Sequence, residues 1–211
     1  MRLKLFVGLA VAAIFVCAAY STHAQSAPAA TGPKAYSPLA VGVGFNIFDP
    51  DWDNGRMYGG ALWIDYLPNH LPEHLNGLGI EALARDVSID GSSKQPKTQR
   101  EDIATGGLIY AWPHYRKLRP YAKAEMGFGN CEYFALNTER ERYRYHQTRT
   151  VTSLGGGLDF KVFRSIWGRA DYEYQIWPDF FKHTNNIKPA GQLNPEGVTI
   201  GAEYRFGSSS R

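Results

Sequence analysis

The chain has 211 residues, with 23 Lys plus Arg, 20 Asp plus Glu and a formal net charge of +3. This near balance argues against a strongly electrostatic partner, so we expect no binding to nucleic acid. The 22 glycines, the aromatic content of 14% and the regularly spaced turn residues favour an all-β protein over a helical one.

The N-terminus has the features of a secretion signal. Arg2 and Lys4 precede an apolar stretch, and small residues up to Ala24 provide a cleavage site. The apolar stretch holds about 15 residues, fewer than the roughly 20 that a membrane-spanning helix needs. We therefore predict a signal peptide over 1–24, followed by a flexible lead-in rich in Ala, Pro and Ser over 25–38.

Cleavage after Ala24 removes two basic residues and no acidic residue. The mature chain then has 21 basic and 20 acidic residues, which is a net charge of +1. Only Cys131 remains of the two cysteines, so no disulfide can form within the mature chain.

Eight segments after Pro38 alternate apolar and polar residues with the period of two that is typical of strands. Longer and shorter connections alternate between them, as in outer-membrane barrels, where the long loops gather at one rim. A hairpin hidden in 130–149 would raise the count from eight strands to ten. The predicted strands are 39–48, 57–67, 77–89, 103–112, 119–129, 150–163, 165–177 and 198–206.

Alternation leaves open whether the apolar side of each strand faces inward, as in a soluble lipid-binding barrel, or outward to lipid. Small residues such as Ala122 and Ala170 on the apolar side would fill a soluble core poorly, which favours lipid. Aromatic residues near the predicted strand ends also fit the two girdles of a membrane barrel. These aromatic residues are Tyr66, Trp112, Tyr121, Trp167, Trp177 and Phe206.

The polar side of the strands carries charges of both signs. Inside a narrow barrel these groups must pair, because an unpaired buried ion costs several kcal/mol. Such a network would plug an eight-stranded lumen, and a narrow porin-like channel for ions or small solutes is the alternative. The predicted interior charge network comprises Asp65, Glu81, Arg85, Lys123, Glu125, Asp159, Lys161, Arg169, Asp171, Glu173, Glu203 and Arg205.

The segment TIGAEYRF over 199–206 resembles the C-terminal assembly signal of bacterial outer-membrane barrels. Thr199, Gly201, Tyr204 and Phe206 carry the likeness, and five residues, 207–211, follow as a short tail. The wider stretch 39–206 resembles the small outer-membrane β-barrel proteins, a group that includes the transmembrane domain of outer membrane protein A. The resemblance implies an all-β fold, an eight-stranded antiparallel up-and-down transmembrane β-barrel.

The same resemblance implies a location and a set of partners. We expect the protein in the outer membrane of a Gram-negative-type bacterium, as a monomer in contact with lipid and lipopolysaccharide. In biogenesis, the resemblance implies recognition by periplasmic chaperones and by the barrel assembly machinery, which reads the last strand as an added β-strand.

Barrel enzymes that modify lipid A use His and Ser, so the histidines are candidate catalytic residues. None of the five histidines after the predicted signal peptide sits in a His-x-Ser context, and His146 near Thr148 is the closest approach. His70 and His74 are four residues apart, but nearby prolines argue against a shared helical face for a metal. We therefore predict no catalytic residue, no cofactor and no metal site.

The arginines between Asn137 and Arg149 are candidate contacts for anions at the cell surface, because the guanidinium fork suits phosphate. They are Arg140, Arg142, Arg144 and Arg149. The favoured interpretation is simpler, with two strands that extend above the membrane and with Glu139 and Glu141 pairing these arginines. The sequence as a whole predicts a structural or cell-surface interaction role for a barrel with a plugged interior.

Overall fold

A computed structural model describes residues 38–51, 55–68, 71–89, 99–112, 117–136, 142–178 and 192–206, and gives the backbone alone for 133–136 and 142–145. The predicted signal peptide, the predicted lead-in up to residue 37 and the predicted tail lie outside these residues. No helix in the described part of the chain is long and apolar enough to cross a membrane.

Nine β-strands and one short 3-10 helix, Glu73–Leu75, make up the described fold. The strands are β1 (Leu39–Asp49), β2 (Met57–Tyr66), β3 (Leu78–Ile89), β4 (Gln99–Ala111), β5 (Leu118–Leu136), β6 (Arg142–Phe163), β7 (Ile166–Pro178), β8 (Gln192–Leu193) and β9 (Glu196–Arg205).

The strands close into a barrel of eight walls, in which every pairing is antiparallel. Each strand from β1 to β7 pairs with the next, and β9 pairs with both β7 and β1. The two-residue β8 pairs with the end of β7 and completes the eighth wall with β9. The predicted eight-stranded antiparallel barrel is confirmed.

The register of the strands sets the width of the barrel. Paired residues can be followed around the barrel from Thr148 of β6 through Asp86 of β3 and Ile200 of β9. This row of pairs reaches β6 again at Leu158, ten residues further along the strand than Thr148. This stagger tilts the strands relative to the barrel axis, by roughly 35–45° in closed barrels. An eight-stranded barrel of this kind has an interior that side chains fill.

Three strands extend several residues further toward one end of the barrel than the sequence predicts. β4 begins at Gln99 rather than at residue 103, β5 continues to Leu136, and β6 already begins at Arg142. The predicted long connection 130–149 is therefore reduced to 137–141. The rest of it, 130–136 of β5 and 142–149 of β6, forms a two-stranded ribbon, the β5–β6 ribbon. The favoured interpretation of this segment as two extended strands agrees with this pairing, and because they continue β5 and β6 they add no strand to the eight walls.

The two ends of the barrel differ in their connections. The terminal rim holds the start of β1 at Leu39 and the end of β9 at Arg205, and it has the connections 67–77, 112–117 and 164–165. The loop rim is the opposite end, with the connections 50–56, 90–98, 137–141 and 179–191.

The outer face of the barrel is apolar. Met126, Phe128 and Ile200 are each more than 60% exposed, and all of them belong to the parity predicted to face lipid. Ala122 and Ala170 lie on the same exposed face. A continuous apolar exterior around a polar interior is the arrangement of a barrel in a membrane, and is the reverse of a soluble lipid-binding barrel.

Candidate functional site

The centre of the barrel is organised around Arg169 of β7, which is almost completely buried. Its guanidinium contacts four carboxylates that come from different strands, because residues of inward parity converge on the axis of a narrow barrel. The distances are 2.5 Å to Asp65 Oδ2, 2.7 Å to Glu81 Oε2, 2.9 Å to Asp159 Oδ1 and 3.1 Å to Glu203 Oε2. One cation thus links the walls β2, β3, β6 and β9.

Two aromatic rings complete the surroundings of Arg169. Its Cζ lies 4.6 Å from the ring centroid of Tyr121 and 5.0 Å from that of Trp63, which are distances for cation–π contact. The Tyr121 hydroxyl donates to Asp171 Oδ1 at 2.7 Å, and Trp63 Nε1 donates to Glu203 Oε2 at 3.2 Å. The rings therefore fill space and also satisfy carboxylate oxygens.

Glycines make room for the indole of Trp63. A Cβ atom at Gly42 of β1 or at Gly201 of β9 would overlap the Trp63 ring. Gly201 also belongs to the predicted assembly signal. The packing of Trp63 explains the need for glycine at this position without any role in assembly.

Lys123 of β5 is a second centre in the network, on the loop-rim side of Arg169. Its Nζ lies 2.9 Å from Glu81 Oε1, 3.0 Å from Asp171 Oδ2, 3.2 Å from Glu173 Oε2 and 3.9 Å from Glu125 Oε2. Glu81 is shared between Lys123 and Arg169, so the two centres form one network.

The network continues toward both rims. Arg85 Nη2 lies 2.6 Å from Glu173 Oε1 on the loop-rim side, and its Cζ lies 3.8 Å from the centroid of the Phe48 ring. At the terminal rim, Arg205 Nη2 lies 2.5 Å from both Asp159 Oδ2 and Glu203 Oε1. The structure brings together eleven of the twelve residues of the predicted interior charge network.

Lys161 is the exception. It is half-buried near the terminal rim and takes part in none of these ion pairs. The register of β6 and β7 shifts between Lys161 and Phe163, which interrupts the regular inward alternation at this point.

Buried apolar side chains lie inside the barrel between the network and the loop rim. One cluster extends from Trp63 to Trp177 and Leu193 at the loop-rim ends of β7 and β8, and a second comprises Phe48, Met57 and Val87. The sequence analysis missed these residues, although their parity places them inside. The first cluster, called the apolar cluster below, consists of Ala61, Trp63, Leu83, Ile103, Cys131, Val151, Trp177 and Leu193.

The predicted aromatic girdles are partly wrong. Tyr66, Trp112 and Phe206 are exposed on the outer face, but Tyr121, Trp167 and Trp177 are buried inside. Each of these three shares the parity of a network residue on its own strand, so strand alternation turns it inward regardless of its place near the strand end.

The residues of the predicted assembly signal divide between the two faces of β9. The hydroxyl of Thr199 donates to the Asn46 side chain of β1 inside the barrel. The rings of Tyr204 and Phe206 are exposed at the terminal rim and pack edge to face, with centroids 5.0 Å apart.

Of the candidate surface arginines, Arg140 lies outside the described residues, and the backbone alone is given for Arg142 and Arg144. Arg149 is half-buried at the loop-rim end of β6. His146 is a candidate catalytic residue in the sequence. Its Nδ1 lies 3.0 Å from Glu132 Oε1 across the β5–β6 ribbon. No group of three or more His, Cys, Asp or Glu side chains in the described ranges is placed to hold a metal ion.

Among solved structures, the barrel is similar to Neisserial surface protein A, with 12% identity and a TM-score of 0.59 over 82% of this chain and 99% of that chain. It is also similar to Ail, the attachment invasion locus protein of Yersinia pestis, with 16% identity and a TM-score of 0.54 over 82% of this chain and 100% of that chain. A structure of Ail in complex with the heparin analogue sucrose octasulfate matches with 16% identity and a TM-score of 0.52, over 80% of this chain and 97% of that chain. At such identities the likeness shows the fold alone.

Comparison of the sequence with curated proteins finds no match. A family model described as the outer membrane protein beta-barrel domain matches residues 9–206, which is nearly the whole chain. With the closed barrel, its apolar exterior and its charged interior, this match shows that the chain belongs to the outer membrane protein β-barrel family.

Proposed function

We propose that this protein is a sealed outer-membrane barrel with a structural or cell-surface interaction role, rather than an open pore or an enzyme. The observation that carries the proposal is the network of buried ion pairs inside the barrel. The ion pairs around Arg169 and Lys123 cross the lumen at its centre, and every one of their side chains is at most 2% exposed.

Side chains at three levels along the barrel axis support the proposal of a filled interior. Arg205 and the Trp167 ring lie in contact at the terminal rim, with Cζ 3.8 Å from the ring centroid. The two cationic centres occupy the middle, and the apolar cluster lies toward the loop rim. A hydrated ion would have to break buried ion pairs and also cross an apolar constriction, and both are unfavourable.

The proposed orientation follows the general pattern of outer-membrane barrels, in which long loops face the exterior and short turns face the periplasm. On this basis the loop rim faces outward and the terminal rim faces the periplasm. The proposal includes export by the signal peptide over 1–24, biogenesis through periplasmic chaperones and the barrel assembly machinery, and a monomer in the membrane.

A surface role is supported by the loop rim. Arg142, Arg144 and Arg149 belong to β6 in the β5–β6 ribbon, and Arg140 precedes them in the sequence. We propose that these four arginines contact the phosphates of lipopolysaccharide. The names of two structural neighbours, a surface protein and an attachment protein, agree with a role at the cell surface.

A sealed lumen predicts that the interior tryptophans do not contact water. The five tryptophans can be labelled as 5-fluorotryptophan and assigned by single Trp→Phe variants. In lipid nanodiscs, we expect no solvent isotope shift of the Trp63 and Trp177 fluorine signals when D2O replaces H2O, because both side chains are at most 1% exposed. ¹⁹F NMR measures this shift directly.

The same protein unfolded in urea is the control, since all five signals must then shift. A full isotope shift of Trp63 in the folded barrel would mean that water fills the lumen at the level of Arg169, and would contradict the proposed sealed interior.

A further inference from the structure

Three cations lie together on β5 and β6 at the terminal rim. Lys117 and Lys161 are directly opposite each other, and the backbone N–H of Lys161 donates to the carbonyl of Lys117 at 2.9 Å. Arg119 lies two residues further along β5, on the same face of the strand as Lys117. We call Lys117, Arg119 and Lys161 the rim cation cluster. Like charges that are directly opposite on neighbouring strands destabilise the pairing, so this arrangement favours a bound anion.

The carboxylates at this rim are already paired with other cations. Asp159 and Glu203 each contact both Arg169 and Arg205. Arg119 interacts electrostatically with Arg205 and Asp159 but takes part in no ion pair. Within the described part of the chain, no member of the rim cation cluster has a carboxylate of its own.

The adjoining sequence adds no acidic side chain to the cluster. The segments 25–37, 69–70, 113–116 and 207–211 precede β1, belong to the terminal-rim connections or follow β9, and they contain no Asp or Glu. Among the described residues of the terminal-rim connections, Glu73 is the one carboxylate, and it is exposed between β2 and β3 rather than beside β5 and β6. The positive charge of the cluster is therefore not balanced by a neighbouring acid.

Two buried donors next to the cluster also lack an acceptor. Trp167 is directly opposite Lys161 and is 8% exposed, but its Nε1 has no hydrogen-bond partner among the described residues. The Nε of Arg119 is likewise buried without a partner. Since buried donors are almost always hydrogen-bonded, these two indicate an acceptor that comes from outside the chain.

We propose that the rim cation cluster and the indole N–H of Trp167 form a binding site for a phosphate group at the terminal-rim mouth of the barrel. A phosphate group has more acceptor oxygens than a carboxylate, so it can meet several donors at once. The guanidinium fork of Arg119 suits phosphate, and the two lysines supply compact positive charge.

The phosphate can come from inorganic phosphate or from the headgroup of a phospholipid in the adjacent leaflet. Both sources present the same charged oxygens, and the experiment below distinguishes them. The inference goes beyond the proposed function and uses it only for the orientation of the terminal rim toward the periplasm.

The test uses the full-length mature protein, labelled with 5-fluorotryptophan, in dodecyl maltoside micelles, which contain no phosphate. Inorganic phosphate replaces chloride at neutral pH and constant ionic strength, and ¹⁹F NMR follows the Trp167 signal. We expect a saturable shift of this signal, because an oxygen bound beside the indole gives Nε1 an acceptor. The Trp63 signal should stay in place, since its Nε1 already donates to Glu203.

A second titration, with a short-chain phosphatidylglycerol, identifies the source of the phosphate. Tighter binding of this lipid than of inorganic phosphate would assign the site to a headgroup of the periplasmic leaflet. The reverse order would assign it to free phosphate. A saturable shift of the Trp167 signal with either compound supports the site.

Lys117→Gln and Lys161→Gln are each expected to weaken binding by about three- to tenfold, between the effect of an exposed ion pair and that of a charged hydrogen bond. Both lysines lie outside the buried ion pairs, so the variants should fold, and heat-modifiable migration checks this. Arg56→Gln is the matched control. It removes one exposed positive charge at the loop rim and should leave binding unchanged.

Three results would overturn the inference: no shift of the Trp167 signal with either phosphate compound, the same shift when chloride alone is raised, or binding by both lysine variants as tight as by Arg56→Gln. None of these results bears on the solvent isotope shifts of Trp63 and Trp177. Failure of this inference is therefore distinguishable from failure of the sealed-barrel proposal.

Discussion

Replacing Arg169 with methionine is expected to lower the free energy of unfolding by about 3–5 kcal/mol, or to prevent the barrel from folding, because loss of one partner from a buried ion network leaves uncompensated charge. The side chain is 2% exposed and contacts four carboxylates. Methionine keeps most of the volume but removes the cation beside Asp65 and leaves Asp159 with Arg205 as its remaining partner. Urea unfolding of the protein in lipid vesicles, followed by tryptophan fluorescence, measures the change.

Arg100→Met is the matched control for this prediction. Arg100 also pairs with two aspartates, at 2.5 Å to Asp86 Oδ2 and 3.1 Å to Asp102 Oδ1, but its side chain is 44% exposed. An exposed pair is worth about 0–1 kcal/mol, so this variant should stay close to the wild type. Equal and small effects of the two substitutions would contradict the central place of Arg169 in the interior.

Replacing Phe206 with aspartate is expected to block insertion into the outer membrane while leaving export intact. We propose that the assembly machinery reads the last strand at its terminal aromatic residue, as the resemblance to the assembly signal implies. Phe206 and Tyr204 form an exposed aromatic pair at the end of β9. Cell fractionation and heat-modifiable migration in gels measure the outcome. We expect unfolded protein in the periplasm and no heat-shifted form in the membrane.

Tyr66→Asp is the control variant. It separates loss of recognition by the assembly machinery from loss of an aromatic contact with lipid. Tyr66 is also an aromatic residue of the outer face near the terminal rim, and it is 40% exposed, compared with 41% for Phe206. A charge near the membrane interface costs only about 0–1 kcal/mol, so Tyr66→Asp should still insert. Normal insertion of Phe206→Asp, or equal failure of both variants, would refute the assembly-signal interpretation.

The alternation of residues predicts most of the barrel because lipid and the interior impose opposite requirements on the two faces of each strand. In β9, Val198, Ile200 and Ala202 face outward and Glu203 faces inward, as their parity indicates. The same rule indicates that the charged residues converge, since residues of inward parity in a narrow barrel have no other place to pair.

Parity also explains where the sequence analysis was wrong. Tyr121 and Trp167 have the parity of Lys123 and Arg169, but their place near strand ends suggested an outer girdle. Inside the barrel they provide ring faces for cations, with Arg169 against Tyr121 and Arg205 against Trp167.

Partner choice within the sheet could not be predicted from the sequence. The departure of β7 from β6 after Ile176, and its pairing with the two-residue β8, depend on contacts between residues far apart in the chain. The apolar cluster likewise joins residues of several walls, and no local pattern indicates that Cys131, Trp177 and Leu193 meet.

Recording of the purified wild-type protein in planar lipid bilayers tests the sealed interior most directly. A general porin reconstituted in parallel serves as the positive control, and heat-modifiable migration confirms that the sample is folded. We predict no discrete conductance steps at voltages where the porin conducts, because in the proposed sealed barrel the buried ion pairs and the apolar cluster block the path of ions. Reproducible steps of porin-like size from the folded protein would contradict the sealed-barrel proposal.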